Sequence, residues 1–306
     1  MSINNLIIIV GPTAIGKTAL SIALAKTYNC PIISADSRQF FKEMSIGTSK
    51  PTALEMQGVP HYFIDSHSIT EEYNVGKFET EAIALLDNLF QHNEKVIVVG
   101  GSGLYIDAIC KGFDELPEAD AETRNKINSI LQSEGIEGLQ ELLKKLDIDY
   151  YNKVDLQNPQ RLSRALEVCL TTNQPYSRLR KGKIKKRNFN TIKIGLNTSR
   201  NVLYNRINQR VDEMMMNGLL EEVKSLQSFK HLNSLQTVGY KELFDYFENK
   251  TDLKSAIESI KQNTRRFAKR QLTWFHRDEE IKWFEPDEFA QIMSYINQTE
   301  ISKKII

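Results

Sequence analysis

A parallel α/β sheet interrupted by a block of helices is the fold class that the sequence predicts. Three observations predict it. Short apolar, β-branched runs alternate with helical patterns through the first third of the chain, the order expected of a sheet covered on both faces. Two of those runs, Leu6–Val10 and Lys95–Val99, end directly at glycine. From about 118 to 190 the strand pattern vanishes, and it returns at Thr191.

The elements follow in order. Leu6–Val10 reads as a buried strand because nothing polar interrupts it, and Ala19–Thr27 follows with helix formers. Pro31–Ala35 is a second strand ending at Asp36, and His61–Ile64 a weaker third. Phe78–Phe90 places Ala82, Ile83, Leu86 and Leu89 at helical spacing. Lys95–Val99 is the cleanest strand, followed by Gly100-Gly-Ser-Gly103. The pattern changes at Leu116-Pro117. From Ala121 to about Arg180 only helices are expected, punctuated by Gly135, Gly138, Pro159 and Pro175. Thr191–Leu196 resumes the sheet, Ser199 is expected to cap a helix carrying Leu203, Ile207 and Val211, Ala256–His276 is a long helix, and Ile281–Phe284 is a last edge strand. The expected domains are therefore a core of 1–117 and 191–306 and a helical insertion of 118–190.

Gly11-Pro12-Thr13-Ala14-Ile15-Gly16-Lys17-Thr18 matches the P-loop pattern G-x-x-x-x-G-K-[ST]. It follows a strand and opens a helix, the context the motif needs. Its glycines let successive backbone N–H groups face one anion, the helix N-terminus adds partial positive charge, Lys17 adds a full one, and Thr18 can ligate Mg²⁺. The core is thus P-loop NTPase-like, and the nucleotide-binding, ATP-binding pattern calls for a di- or triphosphate without saying which. The strand Lys95–Val99 carries no acid where a nucleotide hydrolase usually has one. The acid comes instead at Asp36, within Ser34-Ala-Asp-Ser-Arg-Gln39. Asp36 is either a helix cap or a catalytic base or metal partner. Ser102 is either part of a glycine-rich turn or a substrate contact.

Composition narrows the class. Hydrophobic residues make up 41% of 306 and charged residues 26%, which excludes disordered, collagen-like and disulfide-scaffold proteins. No apolar run approaches a membrane span and no signal peptide is visible. The separated cysteines Cys30, Cys110 and Cys169 suit buried free thiols in the cytoplasm. The five histidines show no metal-ligand spacing.

The net charge of +1 hides a division: residues 1–114 hold 8 Lys/Arg against 12 Asp/Glu, and the remainder 32 against 27. The excess clusters at Arg178–Arg187 and at Lys261, Arg265, Arg266, Lys269, Arg270 and Arg277. Such clusters are either solvated surface or the footprint of a large anionic partner. Ile257, Ile260, Phe267, Trp274 and Phe275 read as a packing stripe. Arg206 and Arg210 repeat an i, i+4 pair just beyond the strand at 191–196, where Arg210 could return over the P-loop.

With these residues in view, the chain resembles the tRNA dimethylallyltransferase (tRNA isopentenyltransferase) family. The resemblance rests on the P-loop, Ser34–Gln39, Ile46-Gly-Thr-Ser-Lys-Pro51, Gly100-Gly-Ser-Gly-Leu-Tyr105, Asn158-Pro-Gln-Arg-Leu-Ser-Arg-Ala-Leu-Glu167 and Val238-Gly-Tyr240, in the family's order across most of the chain. Ser102 and Ser49 depart from the family's usual Thr and Ala.

The resemblance implies transfer of a dimethylallyl group from dimethylallyl diphosphate to N6 of the adenosine 3′ of the anticodon. It implies Asp36 as base, Ser102 beside it, and Gly11 through Thr18 with Arg210 on the diphosphate, with Mg²⁺ at Thr18. It implies tRNA anticodon stem-loop contacts at Asp36, Ser37, Arg38, Gln39, Ser102, Arg124, Gln160, Arg161, Leu162, Ser163 and Arg164. A monomer is the default expectation. A small-molecule P-loop kinase and an adenylate isopentenyltransferase are the competing readings.

Overall fold

The structure, a computed structural model, describes residues 4–304. Six strands form one parallel sheet in the order β3-β2-β4-β1-β5-β6: β1 (Asn5–Val10), β2 (Ile32–Ser34), β3 (His61–Tyr62), β4 (Lys95–Val99), β5 (Asn190–Leu196) and β6 (Lys282–Phe284). Every residue of β1 is buried, which is why its sequence from Leu6 to Val10 is apolar without alternation. Side chains still alternate between faces. Ile7, Ile9, Ile97 and Ile194 pack with Leu20 and Leu24 on one side, while Leu6, Ile8, Val96 and Val98 pack with Phe78 and Leu86 on the other. The weak third strand shrinks to the two residues of β3 at one edge, and β6 forms the other.

The helices are α1 (Lys17–Tyr28), α2 (Ala53–Met56), α3 (Val75–Leu89), α4 (Gly103–Cys110), α5 (Ala121–Leu146), α6 (Ile148–Tyr151), α7 (Pro159–Thr172), α8 (Tyr176–Leu179), α9 (Arg200–Met216), α10 (Leu219–Ser225), α11 (Tyr240–Phe247), α12 (Leu253–Phe275) and α13 (Phe289–Lys304). Ser199 sits at the start of α9, but its side chain makes no capping hydrogen bond. Cys30 and Cys169 are buried free thiols, and Cys110 is only half-buried. No helix among the described residues is long and apolar enough to cross a membrane.

The chain divides into two compact units, Met1–Cys110 with Arg187–Ile306, and Lys111–Lys186. The sequence reading sets the latter's bounds at 118 and 190. Lys111–Lys186 is helical and has its own core, in which Ile127, Leu139 and Leu143 of α5 meet Leu162, Ala165 and Leu166 of α7. The Asp147 carboxylate accepts from Tyr150 N and from the backbone and hydroxyl of Ser177. It thereby ties α6 to α8.

Candidate functional site

The site begins where the strands end. Gly11 follows β1 at φ 147°, and a Cβ there would lie 2.6 Å from the Leu196 carbonyl. Only glycine lets the chain leave β1 this close to β5. The loop then curls to Gly16, and α1 starts at Lys17.

Lys17 Nζ donates to the carbonyls of Gly11 (3.0 Å) and Pro12 (2.7 Å). Burial and then the nearby Arg210 guanidinium push its pKa down to about 7, while Asp36 pulls the other way. Arg210 of α9 donates to Thr13 Oγ1 at 3.3 Å. Burial also presses its pKa downward, against Glu213, Glu55 and Asp36. One turn earlier Arg206 donates to Ile15 O at 3.3 Å. The i, i+4 pair of α9 thus reaches the P-loop at two points.

A cavity of about 580 Å³ opens on this loop, within the usual range for small-ligand sites. Of the expected site residues, Thr13 to Thr18, Asp36, Gln39 and Arg210 line it. Gly11 and Pro12 are buried, and Ser37, Arg38 and Ser102 are not among its lining residues. Asp36 Oδ1 accepts from Arg38 N at 3.0 Å, holding the 36–39 segment in a tight turn. Ser102 Oγ accepts from Ser37 N (3.0 Å) and donates to Ser37 Oγ (3.2 Å). It therefore braces that same turn. Burial lowers the pKa of Arg38, opposed by Tyr105 and Asp36.

The largest omission from the sequence reading is Gln271. This buried side chain of α12 accepts from Thr13 N (2.9 Å) and donates to Gly101 O (2.9 Å), linking the P-loop to the turn after β4. A signal for it exists: Ile260, Ala268, Gln271 and Phe275 share the buried face of α12, so Gln271 is a polar residue on an apolar stripe. Phe267 departs from the expected packing stripe. It is 38% exposed, lines the cavity and lies under Arg270. Trp274 is half-buried and donates to Asp107 Oδ2.

The basic clusters separate into structural and exposed members. Arg187 is half-buried, donating to Glu79 and to the carbonyls of Ala108 and Ile109. Lys261 pairs with Asp212 and Glu258, and Arg265 donates to Asn208. Arg266, Lys269 and Arg270 are exposed. In the helical unit, Gln160 and Arg161 are exposed, and Ser163, Arg164 and Arg124 are half-buried. Arg164 donates to Glu167 and to Leu116 O. Leu162 is fully buried, and its side chain belongs to the unit's core.

The arrangement is an anion cradle with a carboxylate in one cavity. Residues 39–278 match the family model IPP transferase. The chain is 56% identical over 286 residues to the tRNA dimethylallyltransferase of Flavobacterium johnsoniae, covering 92% of this chain and 93% of that protein. It is 54% identical over 294 residues to that of Christiangramia forsetii, covering 96% and 97%. The fold is similar to the crystal structure of a tRNA isopentenylpyrophosphate transferase from Bacillus halodurans, with a TM-score of 0.73, 36% identity and 98% of both chains covered. It is also similar to a eukaryotic dimethylallyltransferase studied acting on tRNA, with a TM-score of 0.77, 28% identity, and 97% of this chain and 78% of that one covered.

Proposed function

Because the chain belongs to the IPP transferase family, we propose that it transfers a dimethylallyl group from dimethylallyl diphosphate to N6 of the adenosine 3′ of the anticodon. The acceptors are tRNAs reading codons that begin with U, and the products are N6-dimethylallyladenosine and diphosphate. The observation that carries this reading is the shared cavity: Lys17, Thr18 and Arg210 line it together with the Asp36 carboxylate.

The chemistry follows from those groups. An adenine amino group is a weak nucleophile because its lone pair is delocalised into the ring. As N6 bonds to the allylic carbon, the carbon–oxygen bond to diphosphate breaks and its electron pair leaves with the diphosphate. Asp36 accepts the proton released from N6. Lys17, Arg210 and the loop N–H groups stabilise the charge growing on the leaving group. Ser102 holds the 36–39 turn that carries the base. The acceptor base must leave its stack to enter such a cavity.

Thr18, exposed at the start of α1, offers a hydroxyl beside the diphosphate cradle, which fits a cation that keeps most of its ligands as water and phosphate oxygens. Mg²⁺ held there would neutralise part of the diphosphate charge. The helical unit, with Arg124, Gln160, Arg161, Ser163 and Arg164, and the exposed cations of α12 are assigned to the anticodon stem-loop. The protein is assigned to the cytoplasm as a monomer.

Neither a small-molecule kinase nor an adenylate isopentenyltransferase is favoured, because relatives covering over nine-tenths of the chain are tRNA dimethylallyltransferases. The test is to incubate the protein with unmodified tRNA, dimethylallyl diphosphate and Mg²⁺ and to map the nucleosides. One N6-dimethylallyladenosine 3′ of the anticodon is expected. An unmodified tRNA, or modification elsewhere, refutes the reading.

A further inference from the structure

Two motifs, Ile46-Gly-Thr-Ser-Lys-Pro51 and Val238-Gly-Tyr240, have no part in the chemistry above, yet one carboxylate joins them. Glu222 of α10 accepts from the backbone N–H groups of Ser45 (3.0 Å), Ile46 (2.7 Å) and Gly47 (3.0 Å). It also accepts from the Tyr240 hydroxyl at 2.6 Å. Three successive N–H groups converging on one anion form a backbone nest, here filled from inside the protein. Tyr240 is fully buried, and its ring lies where a Cβ on residue 47 would be, 2.5 Å away. Burial and the adjacent Glu222 push the Tyr240 pKa far upward, so the phenol stays a donor.

The turn held in this way reaches the cavity. The carbonyls of Thr48 and Ser49 each accept from Gln39 Nε2 at 3.2 Å, and Gln39 Oε1 accepts from Ser34 Oγ at 3.1 Å. Gln39 closes the segment that begins at Asp36, and Gln39, Thr48, Ser49 and Asp36 all line the cavity. All four donors on Glu222 need an acceptor, two on each carboxylate oxygen, and an amide in its place would turn an NH₂ group toward two of them.

We propose that Glu222 is a positioning residue for the transfer reaction. With Tyr240 it fixes the 45–49 turn and, through Gln39, the orientation of the segment that carries Asp36. This inference rests on the transfer reading. It assigns Glu222 to the alignment of base and acceptor and leaves the grip on diphosphate to the P-loop.

The experiment compares wild type, Glu222→Gln and Tyr240→Phe by thermal melting, by calorimetric binding of inorganic diphosphate, and by single-turnover transfer at saturating tRNA and donor. The expected result for Glu222→Gln is a diphosphate Kd within about twofold of wild type and a transfer rate reduced roughly 10- to 100-fold, the scale of an ångström-level misplacement. Tyr240→Phe deletes a single hydroxyl and carries the test if Glu222→Gln does not fold; it should show the same split with a smaller loss of rate. Folded variants with wild-type transfer rates overturn the proposal, as does a loss of diphosphate affinity that parallels the loss of rate. A wild type unable to modify tRNA refutes instead the transfer reading itself.

Discussion

Diphosphate binding is expected to draw a proton onto Lys17. In the ligand-free protein its pKa is held at about 7, against an ordinary 10.5, by burial and by Arg210. A bound diphosphate brings negative charge to the amine and favours its protonated form. At pH 8 a group of pKa 7 is about one-tenth protonated, whereas one restored to its ordinary value is almost fully so, and binding takes up about 0.9 proton. The sign is fixed by this difference. The bound state holds more protons, so raising the pH opposes binding. Between about 7 and the restored pKa, apparent Kd should weaken by nearly tenfold per pH unit, or about 1.4 kcal/mol; below 7 the Lys17 contribution is flat. Diphosphate titrates in the same range, so Lys17→Arg, whose guanidinium stays charged, supplies the ligand's own share. Calorimetry at pH 8 in two buffers of different ionisation enthalpy gives proton uptake for both proteins. Equal uptake would refute the reasoning, because Lys17 would then already be charged before the ligand arrives.

Other consequences are separable. Asp36→Ala should lower the transfer rate by about 10²- to 10⁴-fold, the range of a lost general base, with diphosphate binding intact; near-normal turnover in single-turnover assays would remove Asp36 from that role. Neutralising the exposed trio Arg266, Lys269 and Arg270 to Gln should raise the KM for tRNA. The same change should flatten its salt dependence by about 0.7 to 0.9 in log–log slope for each lost phosphate contact, and an unchanged slope would place that face away from RNA. Arg187→Met should destabilise the fold by about 3–5 kcal/mol in urea titrations by removing the guanidinium from the buried Glu79 carboxylate, whereas a loss within error would mean that Arg187 acts only as one more surface cation.

Much of the core was legible because burial on both sides of a sheet leaves a local trace. β1 is apolar from Leu6 to Val10 and β4 from Val96 to Val99, and Gly11 and Asp36 follow at strand ends where such sheets present ligands. The P-loop is legible for a similar reason: its chemistry lies in eight consecutive residues. What escaped detection depends on residues far apart in sequence. Gln271 meets Thr13 across 258 positions, and Glu222 meets Ile46 across 176. Neither local spacing nor propensity encodes such a meeting. Charge runs are ambiguous for the same reason. Arg187 and Arg270 look alike in a basic stretch, yet one is fixed to Glu79 and two carbonyls while the other is exposed over Phe267. In the sequence Phe267 reads as part of a packing stripe because aromatic residues at helical spacing usually face a core; in the fold its ring borders the cavity instead.

The central claim is that the P-loop holds an allylic diphosphate for transfer to a tRNA base near Asp36. Its most direct test offers radiolabelled dimethylallyl diphosphate, with Mg²⁺, to an equimolar mixture of unmodified tRNA and AMP and follows where the label goes. The account predicts label in tRNA, lost on Asp36→Ala, with AMP unlabelled. Label in AMP alone, or none transferred while ATP phosphorylates a metabolite, would contradict it.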